Sequence, residues 1–225
     1  MEPAPQPRSV QSRSVATQQD ILEAATAEFA ANGYAGARVD EIAARTRTTK
    51  RMIYYHYGSK EALYLAVLER AYAGVRMMES GVEVGSLTPA EGLRQLAEAT
   101  YEHHTTHPDF MRLVSIENIH CAQHLKRSPT IVVENAKAIT TLEAVLRRGV
   151  AAGVFRPDVD AIDVHMMISA FACFHVANRY TFEAIFGRDM LDPGLQHAHR
   201  RLIGDMVVAT LLDLRGANLG HSPAW

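Results

Sequence analysis

Along most of the chain, apolar residues return every third or fourth position, the period of a half-buried helix. Nowhere do they alternate with the two-residue period of a strand. A capping-box-like start at Thr17-Gln-Gln-Asp20 leads into Ile21, Ala24, Ala25, Glu28 and Phe29, and Asn32-Gly33 stops the run. Val39, Ile42 and Ala43 form a short second helix. Polar, turn-compatible residues from Thr46 to Thr49 interrupt it, and Lys50 to Tyr57 resumes with Ile53 and Tyr57 four apart. Ser59 caps a longer helix, with Glu61 near its positive end and a stripe of Leu63, Val67, Leu68, Ala71 and Tyr72, which Gly81 to Gly85 ends. Further starts stand at Thr88-Pro89-Ala90-Glu91, at Pro108, at Ser128-Pro129, at Asp158 or Asp160, and at Asp192-Pro193. The helices they open are expected to end near His107, His124, Gly153, Phe186 and Gly216. The pattern predicts an all-α fold of about nine helices.

The last two of these helices are apolar on more than one face. In the final one, Leu195, Leu202, Met206 and Ala209 form one stripe and Ile203, Val207, Leu211 and Leu214 another. The helix before it carries Met166, Ala170, Cys173, Ala177 and Ala184 beside a row of Phe171, Phe174, Asn178 and Phe182. Such helices must be covered on most sides. Core on one side and a partner subunit on the other would satisfy both faces, as would burial within one subunit.

The segment Arg38 to Leu63 has the form of a helix-turn-helix, whose second helix lies in the DNA major groove. Its charge suits that partner. Arg45, Arg47, Lys50, Arg51 and Lys60 occur between positions 45 and 60 with no acidic residue among them, and phosphate binding needs such a strip. Thr46, Thr48, Thr49, Tyr54, Tyr55 and His56 add hydroxyl donors and ring edges. The whole chain carries a formal charge of only −2 over 225 residues. Residues 1–60 hold eight Lys/Arg against six Asp/Glu, and the remainder fifteen against nineteen. A cationic coat over the whole molecule is therefore excluded, whereas a local basic surface is not. The two cysteines, Cys121 and Cys173, do not suggest a disulfide framework, no apolar run reaches membrane-spanning length and no signal-peptide pattern opens the chain. A cytoplasmic protein with no membrane partner is expected.

The run VDEIAARTRTTKRMIYYHYGSKEAL resembles the DNA-binding signature of TetR/AcrR-family transcriptional regulators, and the match reaches back to Asp20-Ile-Leu-Glu-Ala-Ala and Phe29-Ala-Ala-Asn-Gly-Tyr. One departure is Arg47, where many members carry Gly; a left-handed residue there would be strained. The resemblance implies a three-helix DNA-binding domain over 15–60, a helical ligand-binding and dimerisation domain over 61–217, and tails at 1–14 and 218–225. The first tail, rich in Pro, Gln, Ser and Arg, is expected to be disordered, with Arg8 and Arg13 in reach of DNA. The partners implied are double-stranded operator DNA of palindromic form, a small-molecule effector, and a second copy of the chain through the last two long helices. Repression is the family's commoner mode. No cofactor is implied. DNA contacts are expected from Arg38, Arg45, Arg47, Thr48, Thr49, Lys50, Arg51, Tyr54, Tyr55, His56 and Lys60. Arg51 is suited to bidentate recognition of guanine and Lys50 to a base edge or phosphate, while Tyr54, His56 and Lys60 fix the backbone register. Ile53 and Tyr57 anchor the helix.

The later helices place polar residues among aromatic ones, the usual make-up of a small-molecule site. His103, Phe110, Glu117, Asn118, Cys121, Phe171, Phe174, His175, Asn178, Arg179 and Phe182 are the candidates for an aromatic or heterocyclic effector. Phe171, His175, Asn178 and Phe182, spaced i, i+4, i+7 and i+11, are expected on one helix face. The segments FMRLVSIENIH and ANRYTFEAIFG are similar to regulators of pyrimidine and nicotinate breakdown, which directs the expectation towards a nitrogen heterocycle or aromatic acid. Each residue singly also fits a satisfied polar group in a core. Two other classes compete. His120, Cys121 and His124, with His103 and His107 likewise four apart, would suit a metal sensor if they share a helix face. A small helical enzyme is the other, but no G-x-S-x-G, Walker loop, H-E-x-x-H or GxGxxG occurs.

Overall fold

The computed structural model of the protein describes residues 10–212, with side chains from Ser14 onward. Among the described residues there are ten α-helices: α1 (Val10–Gly36), α2 (Val39–Ala44), α3 (Lys50–Tyr57), α4 (Lys60–Ser80), α5 (Pro89–Thr106), α6 (Pro108–Ile119), α7 (Pro129–Ala151), α8 (Ala161–Ala177), α9 (Arg179–Phe186) and α10 (Pro193–Leu211), plus a 3₁₀ turn at Leu125–Arg127. The expected tail at 218–225, Arg8, the Arg13 side chain and Leu214 lie outside the described residues. Val10–Ser14, expected to be unstructured, instead belong to α1, which passes through Thr17–Asp20 without starting there. Its far end behaves as the Asn-Gly pair predicts, breaking at Gly33 with φ +67°.

Most other helix starts carry the chemistry that the sequence indicates. The Thr88 hydroxyl accepts the Glu91 N–H while the Glu91 carboxylate accepts the Thr88 N–H. Ser59 Oγ accepts from the Ala62 N–H at 3.0 Å. Asp160 accepts from the Ile162 N–H and Asp192 from the Leu195 N–H, each at 2.7 Å. A cap of this kind is worth about 1 kcal/mol. Two ends differ from expectation. Helix α6 stops at Ile119 rather than near His124, because Cys121 and Ala122 adopt left-handed φ of 56° and 55° and cannot continue it. The helix expected to reach Phe186 breaks at Asn178 into α8 and α9, bent by 67°. This break supplies the tenth helix and removes the continuous face on which Phe171, His175, Asn178 and Phe182 were aligned.

The chain folds as two compact units. The first comprises residues up to Tyr72 together with Arg112–Thr130, and the second comprises Ala73–Met111 with the residues from Ile131 onward. Ile21, Ala25, Phe29, Val39, Ile42, Ile53, Leu63, Val67 and Leu113 are buried in the first. Phe29 meets the Tyr64 ring edge-on, with centroids 4.8 Å apart. Both buried acids here have specific partners. Glu117 takes the Tyr64 hydroxyl (3.1 Å) and His124 Nδ1 (3.0 Å) on one oxygen, and the backbone N–H groups of His124 and Leu125 on the other. Burial beside that carboxylate pushes the Tyr64 phenol upward. Glu28 accepts the Arg38 backbone N–H and pairs with Arg45 at 3.0 Å, tying α1 to α2. These bonds offset the cost of placing a carboxylate out of water.

In the second unit, α5 packs against α8 and α10. Its core joins Leu93, Ala97 and Tyr101 to Leu142 and Val145 of α7, Val164, Ile168 and Ala172 of α8, and Ile203, Val207 and Leu211 of α10. Phe155 lies so close over Gly149 that a Cβ there would fall 1.9 Å from its ring. Three histidines are buried in this unit, His103, His104 and His175. Burial is the main cause that lowers each to about 4. His107 adds to the effect at His103, His103 at His104, and His199 at His175.

Neutral burial of these rings has a direct consequence for stability. Unfolded histidine takes up a proton near pH 6.5, whereas these three resist until about pH 4, so the unfolded chain binds more protons between those values. Folding free energy is therefore expected to be unaffected above pH 7 and to fall by roughly 1–2 kcal/mol per histidine on going to pH 5. Urea unfolding at the two pH values measures this; equal midpoints would contradict it.

Candidate functional site

Arg45 ends α2 with helical backbone angles, and the turn Thr46–Thr49 leads to α3. Thr49 caps that helix, its hydroxyl accepting the Met52 N–H at 3.3 Å. Among the described residues only Cys121 and Ala122 combine a Cβ with positive φ, so Arg47 is not left-handed and the anticipated strain is absent. Ile53 is buried, and the half-buried Tyr57 donates its hydroxyl to the Gln18 carbonyl at 3.0 Å. The other side of α3 exposes Arg51, Met52, Tyr54 and Tyr55, the last 78 % accessible. The sequence suits Tyr55 equally to packing and to DNA contact, and at this exposure its ring is not packed into the first unit.

The remaining expected DNA-contact residues divide by how they are held. Lys50 Nζ pairs with Asp40 Oδ2 at 2.9 Å, a hydrogen bond that raises its pKa. Lys60 Nζ lies 3.5 Å from the Ala35 carbonyl and over the Tyr34 ring. His56 Nδ1 lies 3.3 Å from the Gln18 side-chain nitrogen. Arg45 is half-exposed but committed to Glu28, and the Arg38 backbone is bound to the same carboxylate. The Arg38, Arg47 and Thr49 side chains are exposed and Thr48 is half-buried. Asp40, Glu28 and Gln18, which hold these groups, carry no local sequence signal for that role.

The eleven effector candidates are divided between the two units. Glu117, Asn118 and Cys121 belong to the first unit, where Glu117 has its four donors and the other two are exposed. In the second unit, His103 stacks on His107 with centroids 4.3 Å apart and meets Phe110 at 5.9 Å. His175 Nε2 shares a 2.8 Å hydrogen bond with the Tyr101 hydroxyl, and its Nδ1 lies 3.3 Å from His199 Nδ1. The Phe171 ring lies near both Tyr101 and His199. Phe174 and Phe182 pack on each other across the break, Phe174 half-exposed, and Arg179 lies over Tyr180. Tyr101, His104, His165 and His199 are the groups that sequence spacing left out of the set. His103 Nδ1 is buried without a hydrogen-bond partner, whereas His104 is hydrogen-bonded to the Thr100 backbone. A small space of about 20 Å³, near the volume of one water, is lined by Glu79, Thr100, Thr141, Leu142, His165 and Ile168 among others. A larger open groove of about 520 Å³ at the α7–α8 connection contains none of the expected residues.

The metal-sensor arrangement loses its geometric basis. His120, Cys121 and His124 follow the end of α6 instead of sharing its face. His124 is buried on Glu117 while the other two are exposed. No group of three or more potential ligands comes together among the described residues. No single described helix is long and apolar enough to cross a membrane.

Comparison with known proteins agrees with this architecture. Residues 21–67 match the family of bacterial regulatory proteins of the tetR type, and residues 89–207 match the tetracyclin repressor-like C-terminal domain. The HTH-type transcriptional repressor NicS of Pseudomonas putida is 29 % identical over 87 % of this chain and 92 % of its own length. The HTH-type transcriptional repressor SCO4008 of Streptomyces coelicolor is 28 % identical over 84 % of this chain and 95 % of its own. The crystal structure of SCO4942 from the same species superposes with a TM-score of 0.66 at 30 % identity, covering 87 % of this chain and 98 % of that one. A two-part helical chain whose first part carries a cationic helix-turn-helix, matched along both parts, belongs to the TetR family of DNA-binding transcriptional regulators.

Proposed function

We propose that the protein is a homodimeric cytoplasmic repressor that leaves a palindromic operator when a small aromatic or heterocyclic effector enters its second unit. The observation that carries the DNA half of this reading is the division of α3, with Ile53 and Tyr57 turned to the first unit and Arg51, Tyr54 and Tyr55 to solvent. Arg51 would read a base edge. Lys50, Tyr54, Tyr55 and Lys60 would bind phosphates, Lys50 after exchanging Asp40 for DNA. Two copies of α3 in successive major grooves require half-sites about 34–36 Å apart or a multiple of that.

Dimerisation is supported by α10. Ile203, Val207 and Leu211 are buried in the subunit, whereas Leu202, Met206 and Ala209 on the neighbouring stripe are exposed, as are Ile162, Met166 and Phe174 of α8. Exposed apolar residues on two adjoining helices are the usual mark of an interface. A second copy related by a two-fold axis would cover them and match a palindrome.

Effector binding is supported by the rings of the second unit. His103, His104 and His175 are neutral near pH 7, His103 has an unpartnered Nδ1, Phe110 lies beside His103 and His104, and Phe171 lies beside Tyr101 and His199. Neutral imidazoles and phenyl edges suit a planar compound with a few hydrogen-bonding atoms. The space of about 20 Å³ beside Thr100 and His165 does not admit one, so a compound entering there would part the side chains. Helix α4 contributes residues to both units and is the element through which such opening would reach the DNA-binding one. Reversing a 99:1 population takes about 5.5 kcal/mol of differential affinity.

Two outcomes test the reading. Arg51→Ala is expected to reduce discrimination between operator and random DNA by about 1–3 kcal/mol, whereas Lys60→Ala weakens both alike and lowers the salt dependence. Equal losses on both DNAs for both variants, measured by titration, would contradict the division. Met206→Asp is expected to give a folded monomer in sedimentation with weakened operator binding; a persistent dimer would rule out this face.

A further inference from the structure

We infer that Gln18 is a positioning residue for DNA binding. Its side-chain amide fixes which nitrogen of His56 carries the proton, and thereby aims an N–H donor from the last turn of α3 at a DNA phosphate. The inference rests on the proposed reading of α3 as the groove-facing helix.

Gln18 lies on α1, 38 residues before His56, and holds two consecutive residues at the end of α3. Its backbone carbonyl accepts the Tyr57 hydroxyl at 3.0 Å, and its amide nitrogen lies 3.3 Å from His56 Nδ1. With the amide nitrogen placed against Nδ1, that ring nitrogen is the bare acceptor and the proton of the neutral ring resides on Nε2. Packing adds to the restraint, because the Tyr55 ring meets the imidazole edge-on at 5.3 Å. The half-buried ring is thus fixed in both rotation and tautomer, with Nε2–H left to donate. A neutral donor held in this way binds a phosphate oxygen without adding to the charge that repels neighbouring Lys50, Arg51 and Lys60 in the absence of DNA. Tyr57 and Gln18 keep the helix end itself in place through a backbone carbonyl, so the side chain of Gln18 can be changed without removing that anchor.

The test uses the full chain and a random-sequence duplex. Long-range ¹⁵N NMR of the free protein is expected to show His56 protonated on Nε2. Gln18→Leu should mix the tautomers and weaken binding about two- to tenfold, the worth of one hydrogen bond. A free-protein spectrum with the proton on Nδ1, or a Gln18→Leu variant with unaltered tautomer and affinity, would overturn the role. Arg51→Ala separates the two levels. If it weakens binding while Gln18→Leu does not, only the positioning role fails; if it too has no effect, the reading of α3 fails with it.

Discussion

An eight-residue helix has almost no stability of its own in water, because nucleating it fixes more dihedrals than its few hydrogen bonds repay. The α3 helix persists because Thr49 caps its start, Ile53 is buried, and Tyr57 is hydrogen-bonded to α1. All three restraints lie on one side or at the ends. The opposite side is therefore free to carry Arg51, Tyr54 and Tyr55 in water without penalty to the fold. The proposed mode of DNA recognition uses that asymmetry: the face offered to DNA is the face the fold does not need.

The same separation of duties recurs in the way charge is held. Glu28 takes Arg45 and the backbone of Arg38, so one cation of the basic strip fixes α2 against α1 while its neighbours remain available. Glu117 collects four donors at the turn after α6 and keeps its strained left-handed residues in place. In the second unit the buried basic groups are histidines kept neutral by burial, a state that spares the core an unpaired charge but leaves His103 Nδ1 without a partner. Such a nitrogen is costly in a core, and a bound effector of the proposed kind would supply the missing hydrogen bond.

What could be read from the sequence was local. Thr88 with Glu91, Asp160, Asp192 and Ser59 announce helix starts because a cap is chemistry between residues two or three apart. The helix-turn-helix was legible for the same reason, since its spacing and charge lie within 26 residues. The two stripes of α10 were visible, although only burial shows that Ile203 faces inward and Met206 outward. The break at Asn178 was not legible, because neither Pro nor Gly marks it, and the left-handed Cys121 and Ala122 were hidden likewise. Both shifted candidate residues out of the faces assigned to them. Contacts of long range left no trace in spacing: Gln18 with His56, Tyr101 with His175 and His175 with His199 are separated by 38, 74 and 24 residues.

The account's central claim is that α3 enters the major groove twice, related by a two-fold axis. Hydroxyl-radical footprinting of the full chain, on a duplex selected by it from a random pool, tests this most directly. Two protected patches of mirrored sequence, centred about 34–36 Å or a multiple apart, are the expected result. A single patch, or uniform protection that does not depend on sequence, would contradict it.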